Sequence, residues 1–187
     1  GWNSVIDNNG DKSIAWSLLY VVPDAFSLQL MYFGGVERAR GAPEGPGWRH
    51  LVDAWATWQA TPQLAFSAHA DAGFEVTRFG HHGWGAGALY GRVRVFEPFY
   101  VAARGDVFRE AVARGANGAS SPLFFPADWV ASATGTLELR PHDNVSFRFE
   151  VRHDAAEAPL YYRFDTPADA ATARRQTTIL LGAVAWL

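Results

Sequence analysis

Residues 129–152 read WVASATGTLELR, then PHDN, then VSFRFEVR, and this stretch decides the fold. In both outer parts every second residue is apolar or small, and the intervening positions include Glu138, Arg148, Glu150 and Arg152. Side chains that alternate in this way point to opposite faces of a β-strand. The central PHDN is rich in turn-forming residues. The stretch therefore predicts an antiparallel hairpin with one apolar face and one charged face.

The composition narrows the classes of protein that fit this hairpin. The net charge is −3 and there is no basic run, so a nucleic-acid partner is not expected. Cysteine is absent, which excludes disulfides and thiolate metal sites. No apolar run reaches the ~18–20 residues that a membrane-spanning helix needs. An aromatic content of 14%, with eight Trp residues, suits a membrane barrel with aromatic belts at its two interfaces.

The same alternation divides the whole chain into predicted strands. They lie at 13–22, 26–34, 48–60, 64–77, 84–95, 99–108, 129–140, 145–152 and 177–187. Tight turns at 23–24, 61–63, 97–98 and 141–144 alternate with longer connections at 35–47, 78–83, 109–127 and 153–175. In the last of these, residues 166–169 have the pattern of a helix start and predict one helical turn.

Regular alternation of short and long connections is typical of outer-membrane barrels, which have short periplasmic turns and longer extracellular loops. A soluble sandwich mixes hairpins with crossovers and has no reason to alternate so regularly. We therefore predict an all-β fold, an antiparallel up-and-down transmembrane β-barrel whose apolar face contacts outer-membrane lipid. Two aromatic girdles are expected, one of Trp16, Tyr32, Phe74, Trp84 and Trp129 at the long-loop side, the other of Tyr20, Phe26, Trp58, Phe66, Phe99 and Phe147.

The number of strands bears on how such a barrel closes. The first and the ninth predicted strand run in the same direction, so pairing them would need a parallel seam. Bacterial single-chain barrels have even numbers of antiparallel strands, and an open edge is not tolerated in lipid. We therefore expect at least one further strand upstream of Gly1, with residues 1–187 forming the C-terminal portion of a single larger barrel domain.

Charged residues on the second face of the strands are the candidate functional residues. In a barrel they line the lumen, where they either bias the passage of ions or pair across strands to hold the wall together. Three arginines on the fifth and sixth predicted strands form a positive stripe that favours anions. The predicted lumen-lining set is Asp53, Asp71, Glu75, Arg92, Arg94, Arg104, Asp106, Glu138, Arg148, Glu150 and Arg152.

Other chemistry has weaker support in the sequence, and no cofactor, metal site or catalytic residue is predicted. Residues 7–11 (DNNGD) resemble a calcium loop, but their glycine is at the fourth position instead of the sixth. His81 and His82, with His50, lack a fixed third ligand and are expected in a solvated loop. Ser146 is several residues away from the His153-Asp154 pair, so no catalytic triad is expected.

Short motifs in a fixed order resemble the OmpL-like family of beta-barrel porins. They are GWN at 1–3 with DNN at 7–9, LVDAWATW at 51–58, AHAD at 68–71, YGR at 90–92, ARGDVF at 103–108, and the closing strand 177–187. The resemblance spans nearly the whole chain and implies an outer-membrane, porin-like barrel. The terminus departs from the pattern, because such barrels often end in Phe and residues 185–187 read AWL.

Three functions remain open at this point. The first is a porin-type channel in the outer membrane of a Gram-negative bacterium, which passes small hydrophilic solutes or ions by diffusion. The second is a structural or anchoring barrel whose lumen is occluded by side chains or loops. The third is a soluble, secreted β-barrel that binds a ligand. The first two have lipid as a partner, are compatible with a homo-oligomer, and involve no enzymatic activity.

Overall fold

The computed structural model describes residues 9–115, 118, 122–163 and 171–186. In these residues the chain forms only strands, turns and loops. The nine strands are β1 (Ile14–Val22), β2 (Phe26–Val36), β3 (Trp48–Thr61), β4 (Leu64–Thr77), β5 (Gly80–Phe96), β6 (Phe99–Ala111), β7 (Trp129–His142), β8 (Val145–Ala156) and β9 (Arg175–Ala185).

Each strand pairs antiparallel with the next one in the chain, so the sheet has the order β1 to β9. This up-and-down order confirms the predicted fold class. The sheet is not closed: β1 and β9 are its edges, and they run in the same direction, which is consistent with an incomplete barrel. Further strands upstream of Gly1 stay a prediction. The helical turn predicted at 166–169 lies outside the described residues.

The strand register sorts the side chains into two faces with opposite chemistry. We call the face that carries Leu89, Ile179 and Leu181 the apolar face, and the face that carries Glu75 and Glu138 the polar face. On the apolar face Leu89 is 70% exposed and Leu181 is 79% exposed, whereas Glu75 on the polar face is fully buried. A water-soluble protein buries its large apolar side chains. This sheet has the opposite arrangement, with exposed apolar side chains and buried polar ones.

The connection between β4 and β5 is shorter than the sequence predicts. Pairing continues up to Thr77 and Gly80, and only Arg78 and Phe79 lie between the two strands. Gly80 adopts a φ of 119°, and the Thr77 hydroxyl closes the turn by donating to the Gly80 carbonyl (2.9 Å) and accepting from the Phe79 N–H (3.1 Å). The prediction of a long loop at 78–83, with solvated histidines in it, was wrong.

The aromatic girdles also differ from the prediction at one position. Trp84 lies on the polar face, opposite Gly73 and Glu110, and is only 6% exposed. Its ring packs against Phe124 at 5.5 Å between ring centroids. Trp84 therefore does not belong to the long-loop girdle. In the strand register the other predicted girdle residues lie on the apolar face.

No helix long and apolar enough to cross a membrane occurs among the residues that the structure describes. Apart from Trp84, the buried hydrophobic residues among them are three alanines, Ala88, Ala127 and Ala156. Burial in this sheet is thus mainly a property of polar side chains, which is why the polar face is the place to look for function.

Candidate functional site

The register places every predicted lumen-lining residue on the polar face. Asp53 is opposite Asp71 across β3 and β4, and Glu138 is opposite Arg148 across β7 and β8. Each remaining member lies an even number of residues from one of these positions on the same strand, or follows from them through the register of the neighbouring strands. Residues from six strands therefore lie on one continuous surface, because side chains two residues apart on a strand point to the same face of the sheet.

Three guanidinium groups share the carboxylate of Glu138 near the short turns. Arg140 donates to its Oε1 at 2.8 Å, Arg148 to the same oxygen at 3.3 Å, and Arg92 to Oε2 at 3.1 Å. Arg92 and Arg140 also lie over the ring of Tyr100, at 4.1 and 5.4 Å from its centroid. We call these four charged residues the Glu138 cluster. One negative charge against three positive charges leaves this end of the polar face electropositive.

The guanidinium groups of the Glu138 cluster remain partly open to solvent. The carboxylate of Glu138 is 6% exposed, but the side chains of Arg140, Arg92 and Arg148 are 33%, 38% and 49% exposed. A carboxylate that is buried under several guanidinium groups fixes their positions while their outer edges stay available to a solute.

The arginines predicted to form a stripe on β5 and β6 each have a separate carboxylate. Arg94 pairs with Glu97 at 2.6 Å, close to the turn before Pro98, and Arg104 pairs with Asp106. Only Arg92 belongs to a group with an excess of positive charge. The electropositive region is therefore centred on β7 and β8 as much as on β5.

An ion-pair ladder covers the middle of β6, β7 and β8. Asp106 accepts a hydrogen bond from the Ser132 hydroxyl, which in turn accepts one from Arg152 Nη2 at 2.9 Å. Arg152 Nε also donates to Asp154 at 2.7 Å. Glu150 accepts from the Thr136 hydroxyl at 3.1 Å. In this region Arg152 pairs with carboxylates within the wall, which is the structural one of the two roles that the sequence left open.

Asp53, His69 and Asp71 form a separate acidic group on β3 and β4. His69 Nε2 contacts Asp53 Oδ2, and one ligand-type atom from each residue lies within 4.8 Å of the other two. The rings of Trp55 and Tyr90 border the group: Trp55 is 5.0 Å from His69 and 5.4 Å from Tyr90 between centroids.

The long-loop end of the polar face is closed by a buried network that we call the upper network. Glu75 accepts from Arg38 Nε at 2.7 Å and from Arg49 at 2.8 Å, and Arg38 also pairs with Glu44 at 3.3 Å. Glu75 is fully buried and Glu44 is 2% exposed. Because Arg38 and Glu44 belong to the loop 37–47, these pairs hold that loop down over the polar face.

His82 links this loop to the opposite side of the upper network. Its Nε2 lies 2.6 Å from Glu110 and its Nδ1 lies 3.4 Å from Arg38 Nη2. An arginine only donates, so Nδ1 accepts and Nε2–H donates to the carboxylate. Glu110 also accepts from the backbone N–H groups of Leu123 and Phe124. The segment 122–128 is thereby fastened to β6, with Phe124 packed on Phe108 at 5.2 Å.

Sequence reasoning missed part of this site. Arg49 and Arg140 lie within predicted strands, on the charged side of the alternation, and were not chosen. His82, Glu110 and Asp154 would have been included if three predicted strands had been extended by two residues. Arg38 and Glu44 are in a loop and carry no periodic signal. The missed residues are Arg38, Glu44, Arg49, His82, Glu110, Arg140 and Asp154.

The histidines and the serine considered for other chemistry do not converge. His50 lies on the apolar face and stacks on Phe74 at 4.7 Å, whereas His82 lies on the polar face. His153 contacts Thr177 on the apolar face, at 3.0 Å, and Ser146 lies on the polar face. These residues therefore assemble neither a histidine metal site nor a serine–histidine pair.

Comparison with known proteins identifies a family. A family model described as Putative beta-barrel porin-2, OmpL-like, matches residues 1–187, the whole length of the chain. No curated protein and no solved structure matches. The family match agrees with the nine-stranded antiparallel sheet and with the resemblance found in the sequence.

Removing the shared carboxylate of the Glu138 cluster should leave three guanidinium groups without their common partner. We expect Glu138→Gln to lower the free energy of unfolding by about 1–3 kcal/mol, with partial recovery at high salt, since added ions screen the arginines from one another. Urea titration of the full-length protein in lipid vesicles measures this. The matched control is Glu97→Gln, which removes a 75% exposed partner and should cost less than about 0.5 kcal/mol. Equal effects of the two variants would contradict the shared role of Glu138.

The upper network should hold the loop 37–47 against proteolysis. In Glu75→Gln both Arg38 and Arg49 lose the buried carboxylate that they share, so the loop should open more often and trypsin should cleave after Arg40 roughly tenfold faster or more. Limited digestion of the folded full-length protein, read by mass spectrometry, tests this against the Glu97→Gln control. Cleavage at the wild-type rate would show that the loop is held by other contacts.

Proposed function

The chain belongs to the OmpL-like beta-barrel porin family, and from that membership we propose that it acts as an outer-membrane channel through which small hydrophilic solutes or ions diffuse passively. In this function the polar face lines a water-filled path and the apolar face contacts lipid. The supporting observation is the Glu138 cluster, where buried pairing fixes arginine side chains whose outer edges remain exposed.

The apolar face supports a membrane location. Leu89, Ile179 and Leu181 are each at least 66% exposed, and burying such side chains in hydrocarbon gains roughly 25 cal/mol for each Å² removed from water. A soluble, secreted ligand-binding barrel would need the opposite arrangement, with these residues inside. A bacterial outer membrane is the setting in which antiparallel barrels of this kind span lipid.

The electrostatics of the polar face favour anions as the preferred ions. The Glu138 cluster has a net positive charge at the short-turn end, and Arg92 and Arg140 are further fixed by contact with the ring of Tyr100. A ring of fixed positive charge in a narrow aqueous path raises the local concentration of anions and lowers that of cations.

An occluded, structural barrel is the second candidate, and the upper network favours it. The loop 37–47 and the segment 122–128 both lie over the polar face, and the phenylalanine rings of the second segment fill space beside Trp84 and Phe108. The two candidates differ in one property, which is whether the path beside these loops is wide enough for ions.

Conductance of the full-length protein in a planar lipid bilayer separates the two candidates. We expect stable current steps and, in a potassium chloride gradient, a reversal potential that indicates preference for chloride. Arg148→Gln should lower the ratio of chloride to potassium permeability by roughly twofold at low salt, because it removes the most exposed positive charge of the Glu138 cluster.

The matched control is Arg175→Gln, because Arg175 is opposite Ala155 on the apolar face and its charge is outside the proposed path. Its permeability ratio should equal that of the wild type. Absence of current steps would favour the occluded barrel. Stable steps with cation preference would leave the channel in place and overturn the proposed preference for anions.

A further inference from the structure

The polar face contains a second charged group that the channel proposal does not use. Asp53 on β3 is directly opposite Asp71 on β4, and His69 precedes Asp71 by two residues on the same face. Two ionised carboxylates at directly opposed positions repel each other, and either a cation between them or a proton on one of them relieves this repulsion. Here an imidazole is the third member of the group.

The positive charges of the polar face are engaged elsewhere. Within the described residues, neither Asp53 nor Asp71 has an arginine or lysine nitrogen within 4.0 Å. The nearest arginine on β3, Arg49, is bound to Glu75 at 2.8 Å. The group therefore has an excess of negative charge when His69 is neutral.

The three side chains have the spacing of a metal site. Their ligand-type atoms lie within 4.8 Å of one another. Around one Zn²⁺ ion with bonds of about 2.0–2.2 Å, tetrahedral ligands are about 3.4 Å apart, so small rotations of the aspartate side chains would bring all three to the ion. The direct contact between His69 Nε2 and Asp53 Oδ2 would be replaced by the bonds of the two atoms to the ion.

The surroundings leave room for the remaining ligands of an ion. The side chains of His69 and Asp53 are 32% and 20% exposed, so water reaches them from the polar side. On β5 the opposed residues are Ala88 and Ala86, whose small side chains do not cover the site, and the Trp84 indole lies beside Asp71. Zinc sites with three protein ligands and a water molecule in the fourth position are common in proteins.

We infer that Asp53, His69 and Asp71 form a binding site for one divalent transition-metal ion on the polar face. An imidazole nitrogen with two carboxylates suits Zn²⁺, Ni²⁺ or Cu²⁺, while Ca²⁺ and Mg²⁺ prefer six or more oxygen ligands. The inference does not depend on passive diffusion of solutes, since a site on the wall of an occluded barrel would bind the same ion.

Calorimetric titration of the full-length, folded protein in detergent with zinc chloride tests the site. We expect one saturable binding event that excess magnesium does not compete with. His69→Gln and Asp71→Asn should each weaken zinc binding at least tenfold, since loss of a direct ligand costs no less than the 10–100-fold typical of outer-shell partners. Retained heat-modifiable migration in electrophoresis would show that both variants are folded.

The matched controls alter the same residue types elsewhere in the sheet. His153→Gln removes a histidine on the apolar face, and Glu150→Gln removes a part-buried carboxylate of the polar face that accepts from Thr136. Both should bind zinc as the wild type does. Absence of saturable binding at millimolar zinc would leave only a histidine–aspartate hydrogen bond and overturn the site. Binding that is unchanged in His69→Gln and Asp71→Asn would also overturn it.

Discussion

The antiparallel sheet pairs its backbone groups internally while its two faces differ in chemistry, and the rest of this structure depends on that arrangement. In the proposed function it is the arrangement that crossing lipid requires. Antiparallel pairing from β1 to β9 satisfies the backbone of the inner strands. Strict alternation then sends Phe147 and Phe149 to one face and Arg148 and Glu150 to the other. A shift of the register by one residue would exchange the two sets, which is why the pairing is so strongly specified.

Charge is distributed unevenly over the polar face, and this distribution gives its parts different chemistry. On β3 and β4, Asp53 and Asp71 concentrate negative charge around His69. Near the short turns, the Glu138 cluster concentrates positive charge. Between them Arg152 pairs with Asp154 directly and with Asp106 through Ser132, so its charge is used within the wall. The proposed anion preference and the proposed metal site thus arise from separate parts of one surface, each where the pairing of charges is incomplete.

Much of the fold could be predicted from sequence because period-two alternation is a local signal. Strand order and the face of each predicted lumen-lining residue follow from it, as Glu138 and Arg148 illustrate. The predictions were wrong where tertiary contacts determine whether a side chain is buried. His82 reads as a polar loop residue, yet Glu110 and Arg38 provide partners that allow it to be buried in β5. Trp84 reads as a membrane-interface residue, but Phe124 from a distant segment covers it on the polar face.

The candidate site was only partly visible in the sequence for the same reason. Alternation identified Asp53, Asp71 and Glu75 as residues of one face, but it contains no information on what each carboxylate binds. The burial of Glu75 depends on Arg38, which reaches it from a loop. His69 was passed over as a ligand, and its significance appears only when β3 places Asp53 beside it. Which charged residues lie next to one another depends on the strand register, and composition does not reveal it. The structure therefore divides the charged residues of the polar face into distinct groups.

The opposite solvation of the two faces is open to direct measurement, because the chain has no native cysteine to interfere with labelling. Single cysteines are introduced in turn at positions 146 to 151 of the full-length protein in lipid vesicles, and each is labelled with a nitroxide. The nitroxide reports its collisions with oxygen, which concentrates in lipid, and with a nickel chelate, which stays in water. Oxygen accessibility should be high at 147, 149 and 151, and should fall at 146, 148 and 150, where water or neighbouring polar groups replace lipid. Uniform accessibility along the strand, or high oxygen accessibility at 148 and 150 instead, would contradict a lipid-facing apolar face.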